Sequence, residues 1–298
     1  MKQFYLLFLF ISVLSFAQLT PPTKLQAYYS GVDFSLTGNN LYNDLAFEVI
    51  ASHTTFLTYS QRHNYLYDAD EDLSNTSNVI LIYSGESRNE NEYESGSNTY
   101  LPQTFNTEHV YPRSLLDNSN AEADLHLLRS CDISTNSSRG NDPFTSGSGN
   151  YGSTGGAWYP GDDWRGDVAR IIMYVNLRYN EPFSDVGNLN LFLEWNAIDP
   201  VSPLEDQRNS VISAVQGVRN PFIDNPYLAT VIWGGTLAEN RWSTLSVNNV
   251  SNSPLKLYPN PVKGNEVYIV SNQEILVEVF NILGKKVKTQ SMTSNQKN

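Results

Sequence analysis

Residues 105–144 read FNTEHVYPRSLLDNSNAEADLHLLRSCDISTNSSRGNDPF, and how this stretch folds decides the rest. It holds two of the chain's four histidines, His109 and His126. FNTEHVYP reads as a strand that stops at Pro112, because proline cannot continue a ladder. ADLHLL reads as a second short strand. Asp132 is placed to cap a helix running from Ile133 through Arg139. A unit of two strands and a helix would bring Glu108, His109 and Asn136 to one place.

Those three residue types suit one kind of chemistry. A carboxylate and an amide oxygen are hard donors that fit Mg²⁺, which keeps several waters and takes few protein ligands. A neutral histidine beside them can take a proton from water near neutral pH. Metal plus base is a minimal kit for hydrolysing a phosphodiester. Arginines would then clamp the phosphate. Each piece alone is weak: Glu-His pairs are common, Arg139-Gly140-Asn141 fits an ordinary turn, and His126 between Leu125 and Leu127 reads first as a hydrogen-bonded structural histidine.

Outward from this stretch, LYNDLAFEVIASHTTFL at 41–57 carries Leu41, Leu45 and Val49 at helical spacing. SNVILIYSG at 77–85 reads as a strand, and 86–103 as a polar loop. The Gly- and Ser-rich run 142–164 reads as a long loop. RGDVARIIMYVNLRY at 165–179 reads as an amphipathic helix, with Val168, Ile171, Ile172 and Val175 in one stripe and Arg170, Tyr174 and Arg178 in another. Residues 190–235 read as two or three helices broken at Pro200 and Pro221. The fold class is α+β: a mostly helical domain over 25–240, a polar linker over 241–254, and a small antiparallel β unit over 255–298.

The chain has 298 residues, 40% hydrophobic and 12% aromatic, enough for one large domain and an appendage. Its net charge of −12 argues mildly against a protein that lives on nucleic acid. Yet between Leu25 and Val250 every cation is an arginine. Arginine's planar fork binds phosphate or carboxylate bidentately, so each of these arginines has two competing partners, a substrate phosphate or one of the many carboxylates. The start, MKQFYLLFLFISVLSFAQ, reads as a secretory signal peptide over 1–17, with small residues Ser15 and Ala17 before the expected cut. Past it, no apolar run reaches membrane-spanning length. The single cysteine, Cys131, reads as a small buried hydrophobe.

Taken together, FNTEHVYPRS, ADLHLLRSCDISTNSSRGNDPF, RGDVARIIMYVNLRY, LFLEWNAIDPVSPLEDQRN and QGVRNPFIDNPYLATVIWG resemble the bacterial endonuclease I family, exported nucleases with a His-Me finger (ββα-metal) site. The resemblance covers roughly residues 25–236. It implies His109 as general base and Glu108 and Asn136 as ligands of a single divalent metal, Mg²⁺ foremost with Ca²⁺ or Mn²⁺ as alternatives. It implies Asp124, His126 and Asn141 as supporting residues and Arg139 in the turn that closes the site, either as a catalytic arginine or as one that fixes loop geometry through carboxylates. Arg165 and Arg170 match its RG-x-x-AR helix start and are expected to contact substrate phosphate, with Arg113 expected as a further catalytic arginine. Asn220 to Asp224 match an NPFID turn with a structural role. Leu127 and Ser130 depart from the usual pattern without touching a ligand. Some relatives carry a longer insert between Arg113 and Asp124 with an arginine facing the cleaved phosphate. That arginine has no aligned partner here, so Arg113 or Arg165 is expected to replace it.

The stretch LYPNPVKGNEVYIV resembles the sorting domain of the type IX secretion system, which carries cargo across the outer membrane. The match is partial, because further strands and a basic last strand are expected beyond SNQKN. The expected protein is an exported, sequence-nonspecific endonuclease on DNA and perhaps RNA, monomeric, meeting the outer-membrane secretion machinery through its C-terminal unit. The competing account is a non-catalytic nucleic-acid-binding or adhesive surface protein on the same scaffold. It would not need Glu108, His109 and Asn136 together. The chain lacks H-E-x-x-H and G-x-S-x-G, which removes zinc-protease and serine-esterase readings.

Overall fold

The computed structural model describes residues 19–242, 256–258, 268–270, 275–280 and 285–292. The expected leader over 1–17 lies outside the described residues. The chain divides into two compact units, Met1–Ser243 and Thr244–Asn298.

The first unit is α+β and is built around the helix Arg165–Tyr179. That helix is buried nearly all round, including Gly166, Asp167 and every residue from Val168 to Val175. The expected polar stripe is therefore internal, a correction with a clear cause. The helix Gly38–Ser52 covers one side with Leu41, Leu45 and Val49, while Leu189–Ile198 and Pro221–Asp224 cover others. Arg170 and Tyr174 tolerate burial because each finds partners there: Arg170 binds Glu205 through Nε at 2.6 Å, and the Tyr174 hydroxyl donates to Asp124 at 2.7 Å. Gly166 is required at the start of the helix, since a Cβ there would stand 2.4 Å from the carbonyl oxygen of Asp199.

The run 190–235 holds four helices, Leu189–Ile198, Pro203–Gln216, Pro221–Asp224 and Tyr227–Trp233. The second opens with Pro203 at its first turn and a reciprocal cap between Ser202 and Glu205. It stops at Gly217, whose φ of 83° and close approach to the Ser52 carbonyl exclude a side chain.

Three small antiparallel sheets complete the unit. Glu71–Asp72, Asn75–Ile80 and Ser87–Asn89 form one, so part of the loop expected at 86–103 is strand. The strand expected at 77–85 ends at Ile80, because the chain turns through Tyr83 at φ 72° and Gly85 at φ 69°. Gly152–Thr154 and Ala157–Tyr159 form a hairpin inside the run expected to be a loop. Gly155 and Gly156 supply the two positive φ angles of its tight turn.

The third sheet pairs Phe105–His109 with Leu128–Asp132, with Thr107 opposite Ser130 and His109 opposite Leu128. The second strand was expected at ADLHLL and instead begins at Leu128. Asp124 accepts the amide of His126 at 2.9 Å, and Leu127 N bonds back to the Asp124 carbonyl. This local turn uses up the backbone that a ladder would need. Asp132 then caps the helix Ile133–Arg139 by accepting from Thr135 N. Residues 241 and 242 of the expected linker belong to the first unit, and the rest of it lies outside the described residues. Trp242 packs on Tyr29 and Phe34, and Arg241 binds Asp206.

The second unit holds two antiparallel pairs, Lys256–Tyr258 with Tyr268–Val270 and Ile275–Phe280 with Lys286–Met292.

Candidate active site

Strand, strand and helix meet as the residue types require. The Asn136 side chain donates to Asn106 Oδ1 at 2.7 Å and to the Thr107 carbonyl at 3.2 Å, which fastens the helix to the strand carrying Glu108 and His109. Glu108 and His109 point to opposite faces of that strand by simple alternation. Glu108 is buried and His109 half-buried.

Glu108 receives the Tyr83 hydroxyl on Oε1 at 2.9 Å, and Arg139 Nε lies 3.2 Å from the same oxygen. Burial pushes the Glu108 carboxyl up to about 7, against the pull of Arg139 and Tyr83. Arg139 is fully buried and also donates to the carbonyls of Gly140 and Val110. Of the two parts expected of Arg139, its contacts are those of a residue that fixes geometry, because its fork faces Glu108 and the backbone.

His109 places Nε2 at 3.0 Å from the carbonyl oxygen of Glu122, and its ring stacks on Tyr59 with centroids 5.5 Å apart. A carbonyl can only accept, so Nε2 carries the proton and Nδ1 keeps its lone pair. Burial holds the imidazole down to about 4, the Glu122 hydrogen bond opposes this, and the charges of Arg113, Arg62 and Arg139 reinforce it.

The donor set fits a hard cation. Both side chains that bind Glu108, Tyr83 and Arg139, address Oε1, the His109 backbone N–H adds a hydrogen bond to the carboxylate, and both hydrogen bonds of Asn136 use Nδ2, so the second carboxylate oxygen and the Asn136 amide oxygen are the donors that could face a cation. No cluster of three or more His, Cys, Asp or Glu able to hold a metal occurs among the described residues. An ion here would rest on two protein oxygens and its own waters, the habit of Mg²⁺. Its charge would also favour the ionised form of Glu108.

Of the residues expected to support the site, Asp124 and His126 are buried. Asp124 accepts the hydroxyls of Tyr174 and Tyr179 at 2.7 and 2.8 Å. His126 is buried with Nε2 3.2 Å from the Val218 carbonyl and its ring against Tyr174. Asn141 is exposed past the helix end. The NPFID turn is internal: Asn209 and Arg219 both bind Asp224. Cys131 is buried, with its thiol pushed up by desolvation.

The arginines divide sharply. Every one between Leu25 and Val250 except Arg62 and Arg178 forms an ion pair with a carboxylate. Arg170, expected to contact phosphate, is 0% exposed and bound to Glu205 and the Asp199 carbonyl. Arg165 pairs with Asp162 at 3.3 Å. No contact among the described residues joins it to the histidine site. Arg113 is 60% exposed at the rim, 2.7 Å from Glu122 and over the Tyr59 ring.

Comparison with known proteins shows the family. The family model for endonuclease I matches residues 37–227. The chain belongs to the endonuclease I family. Over 243 residues it is 36% identical to an extracellular ribonuclease of Bacillus subtilis (strain 168), an alignment covering 73% of this chain and 82% of the relative. It is also 36% identical over 245 residues to an extracellular ribonuclease of Bacillus amyloliquefaciens, covering 74% and 82%. A secretion system C-terminal sorting domain matches residues 256–298. This endonuclease I family member is thus an exported nuclease that hydrolyses phosphodiester bonds, and no helix among its described residues is long and apolar enough to cross a membrane.

Tyr59, Arg62, Tyr83 and Thr107 surround His109 and Glu108 without having been singled out from sequence. Alternation along FNTEH places Thr107 on the face of His109 and was the one signal available. Tyr59, Arg62 and Tyr83 come from distant segments that carry no local mark.

Proposed function

We propose that this chain is a secreted, metal-dependent, sequence-nonspecific endonuclease that cleaves DNA and RNA through a His-Me finger site. The observation that carries the reading is His109 with Nε2 held by the Glu122 carbonyl and Nδ1 left free to accept a proton. In this reading Nδ1 deprotonates water, the water oxygen bonds to phosphorus, and the bond from phosphorus to the leaving oxygen breaks. Glu108 and Asn136 hold one divalent cation, Mg²⁺ foremost. When bound, that ion supplies Lewis-acid stabilisation of the charge on the phosphate and leaving oxygens. Tyr83 and Arg139 keep the Glu108 carboxylate aimed.

A site made of one base, one metal and arginines reads phosphate and sugar, with no device for base edges. The two Bacillus relatives, named as extracellular ribonucleases, bring RNA into the substrate range beside DNA. With a net charge of −12, affinity rests on local arginines and falls as salt rises. The C-terminal unit hands the chain to the outer-membrane secretion machinery, and the enzyme works as a monomer.

The test is cleavage of supercoiled plasmid and of single-stranded RNA by the purified protein with Mg²⁺ and with EDTA, beside His109→Ala. Degradation that needs both the metal and His109 is expected. Binding without cleavage under every divalent metal tried would move the protein to a nucleic-acid-binding role.

A further inference from the structure

Arg62 is a buried cation without an ion pair of its own: Glu122, which is paired with Arg113, acts on it only from a distance. Its residue is 9% exposed. Nε donates to Thr107 Oγ1 at 2.9 Å, and Nη1 donates to the Tyr59 carbonyl. The guanidinium carbon stands 3.6 Å from the Tyr59 ring centroid. Among the described residues no carboxylate comes within ion-pair distance, and Nη2 has no acceptor although it is not sealed from solvent. A fold that buries a charge ordinarily gives it a partner. The arginines nearer the core obey that rule here, as Arg129, Arg139, Arg170 and Arg208 each lie against a carboxylate.

The place of this exception is telling. Thr107 and His109 share one face of their strand, two residues apart, and Arg62 is bound to the first. The Tyr59 ring that supports Arg62 also stacks on His109. Tyr59 and Arg62 are three apart on the 3₁₀ helix Tyr59–Asn64, whose repeat sets one side chain over the other. Three contacts thus fix a guanidinium next to the proposed base, with one nitrogen edge unused. Arg113, the other cation against Tyr59, is mostly exposed and already faces Glu122. A fixed donor stabilises developing charge better than one that must first leave a carboxylate and order itself.

We infer that Arg62 is the phosphate-binding arginine of this nuclease, its free Nη2 edge taking a non-bridging oxygen of the phosphodiester presented to His109. The inference rests on reading His109 as the base and deepens it. Arg62 fills the role that an arginine of the longer insert plays in some relatives, and it does so from a different segment of the chain. It contributes charge and a fixed donor and moves no proton.

The experiment uses the full-length exported protein and single-stranded oligonucleotides. Arg62→Gln is expected to lower kcat/KM by about 100-fold, the usual effect of losing one fixed donor to a developing oxyanion. In a His109→Ala background, binding of the same oligonucleotide is followed over a range of salt. Adding Arg62→Gln should make the slope of log Kd against log salt shallower by about 0.7, the value of one phosphate contact on a single strand. Arg62→Gln should melt at or above the wild-type temperature, because an unpaired buried charge has been removed. Arg62→Lys should keep the salt slope and still lose kcat, since Lys cannot make the Thr107 bond while presenting a second nitrogen. An unchanged slope with Arg62→Gln, together with a shallower one for Arg113→Gln, overturns the inference in favour of Arg113. If the wild type fails to cleave, the reading of His109 falls, and the slopes still decide Arg62. If Arg62→Gln does not fold, Arg62→Lys and Thr107→Val carry the test: Thr107→Val should cut kcat with the slope retained, and wild-type kcat in both overturns the inference.

Discussion

The Tyr83 hydroxyl donates to Glu108 Oε1 across 2.9 Å, from a residue whose own backbone sits at φ 72°. A bulky residue in the left-handed region is uncommon and costs free energy of about 1–3 kcal/mol. The turn after Ile80 holds it there through bonds from Ile82 N to Ser130 and from Gly85 N to Leu81. The strain has a purpose that the contacts name: it aims a hydroxyl at one oxygen of the buried carboxylate.

Tyr83→Phe should therefore weaken the metal before it weakens the chemistry. Losing an outer hydrogen bond to a ligand typically costs about 10–100-fold in metal affinity. The half-saturating Mg²⁺ concentration for cleavage should rise by about tenfold, with the rate at saturating metal reduced far less. A titration of activity against Mg²⁺ for both proteins checks this. An unchanged midpoint would separate Tyr83 from the metal site.

His109 should behave as a neutral base well below the usual histidine range. Its titration lies near 4 because burial disfavours the cation and Arg113, Arg62 and Arg139 repel it. Nitrogen-detected NMR of the metal-free protein should find the Nε2–H tautomer at pH 7 and a midpoint near the same value. His109→Ala should lose at least about 100-fold in cleavage, the low end of a general base's contribution. An Nδ1–H tautomer at pH 7 would remove the lone pair that the mechanism needs and sink it.

The strongest part of the sequence signal was the local one. Asp132 as a cap and the helix to Arg139 followed from side chains acting on their own neighbours, and the structure has both. Leu41, Leu45 and Val49 likewise formed the buried stripe that their spacing requires. What failed was whatever depended on the far side of the fold. ADLHLL has the composition of a strand, yet a single carboxylate at Asp124 bends it into a turn. Arg170 sits on a stripe that looks solvent-facing until Glu205, thirty-five positions away, arrives to neutralise it. Arg62 and Tyr83 carry no motif, and their proximity to His109 and Glu108 is a product of packing alone.

Arg170 should act on stability, with no separate effect on substrate. Arg170→Met leaves Glu205 buried without its bidentate partner and the Asp199 carbonyl without a donor. Breaking a buried pair from one side costs about 3–5 kcal/mol. Urea unfolding should register that loss, while KM for oligonucleotide and the salt slope of binding stay at wild-type values in the folded protein. A KM rise without a stability loss would return Arg170 to the substrate side.

His126 should impose an acid limit on the fold. It is buried with burial pulling its pKa down to about 4; Asp124 and the Val218 carbonyl oppose this, and Arg208 and His53 add to it. In the unfolded chain it titrates near the ordinary value of about 6.5. Between those two values the unfolded state binds more protons than the folded one, so stability falls as pH drops through that window and levels off below it. The full effect is at most about 3 kcal/mol, from the size of the shift. Other groups titrate over the same range, Glu108 among them with the opposite sign, because its folded pKa is raised and its contribution is present at low pH and lost as pH rises through about 7. The comparison that isolates His126 is with His126→Gln, which can still donate to Val218 and cannot ionise. Urea unfolding of both proteins from pH 7 to pH 4 should show the wild type losing stability relative to the variant as the solution is acidified. A difference between them that is constant across the window would mean that His126 is charged in the folded protein, or that its burial is relieved by a partner other than the Val218 carbonyl.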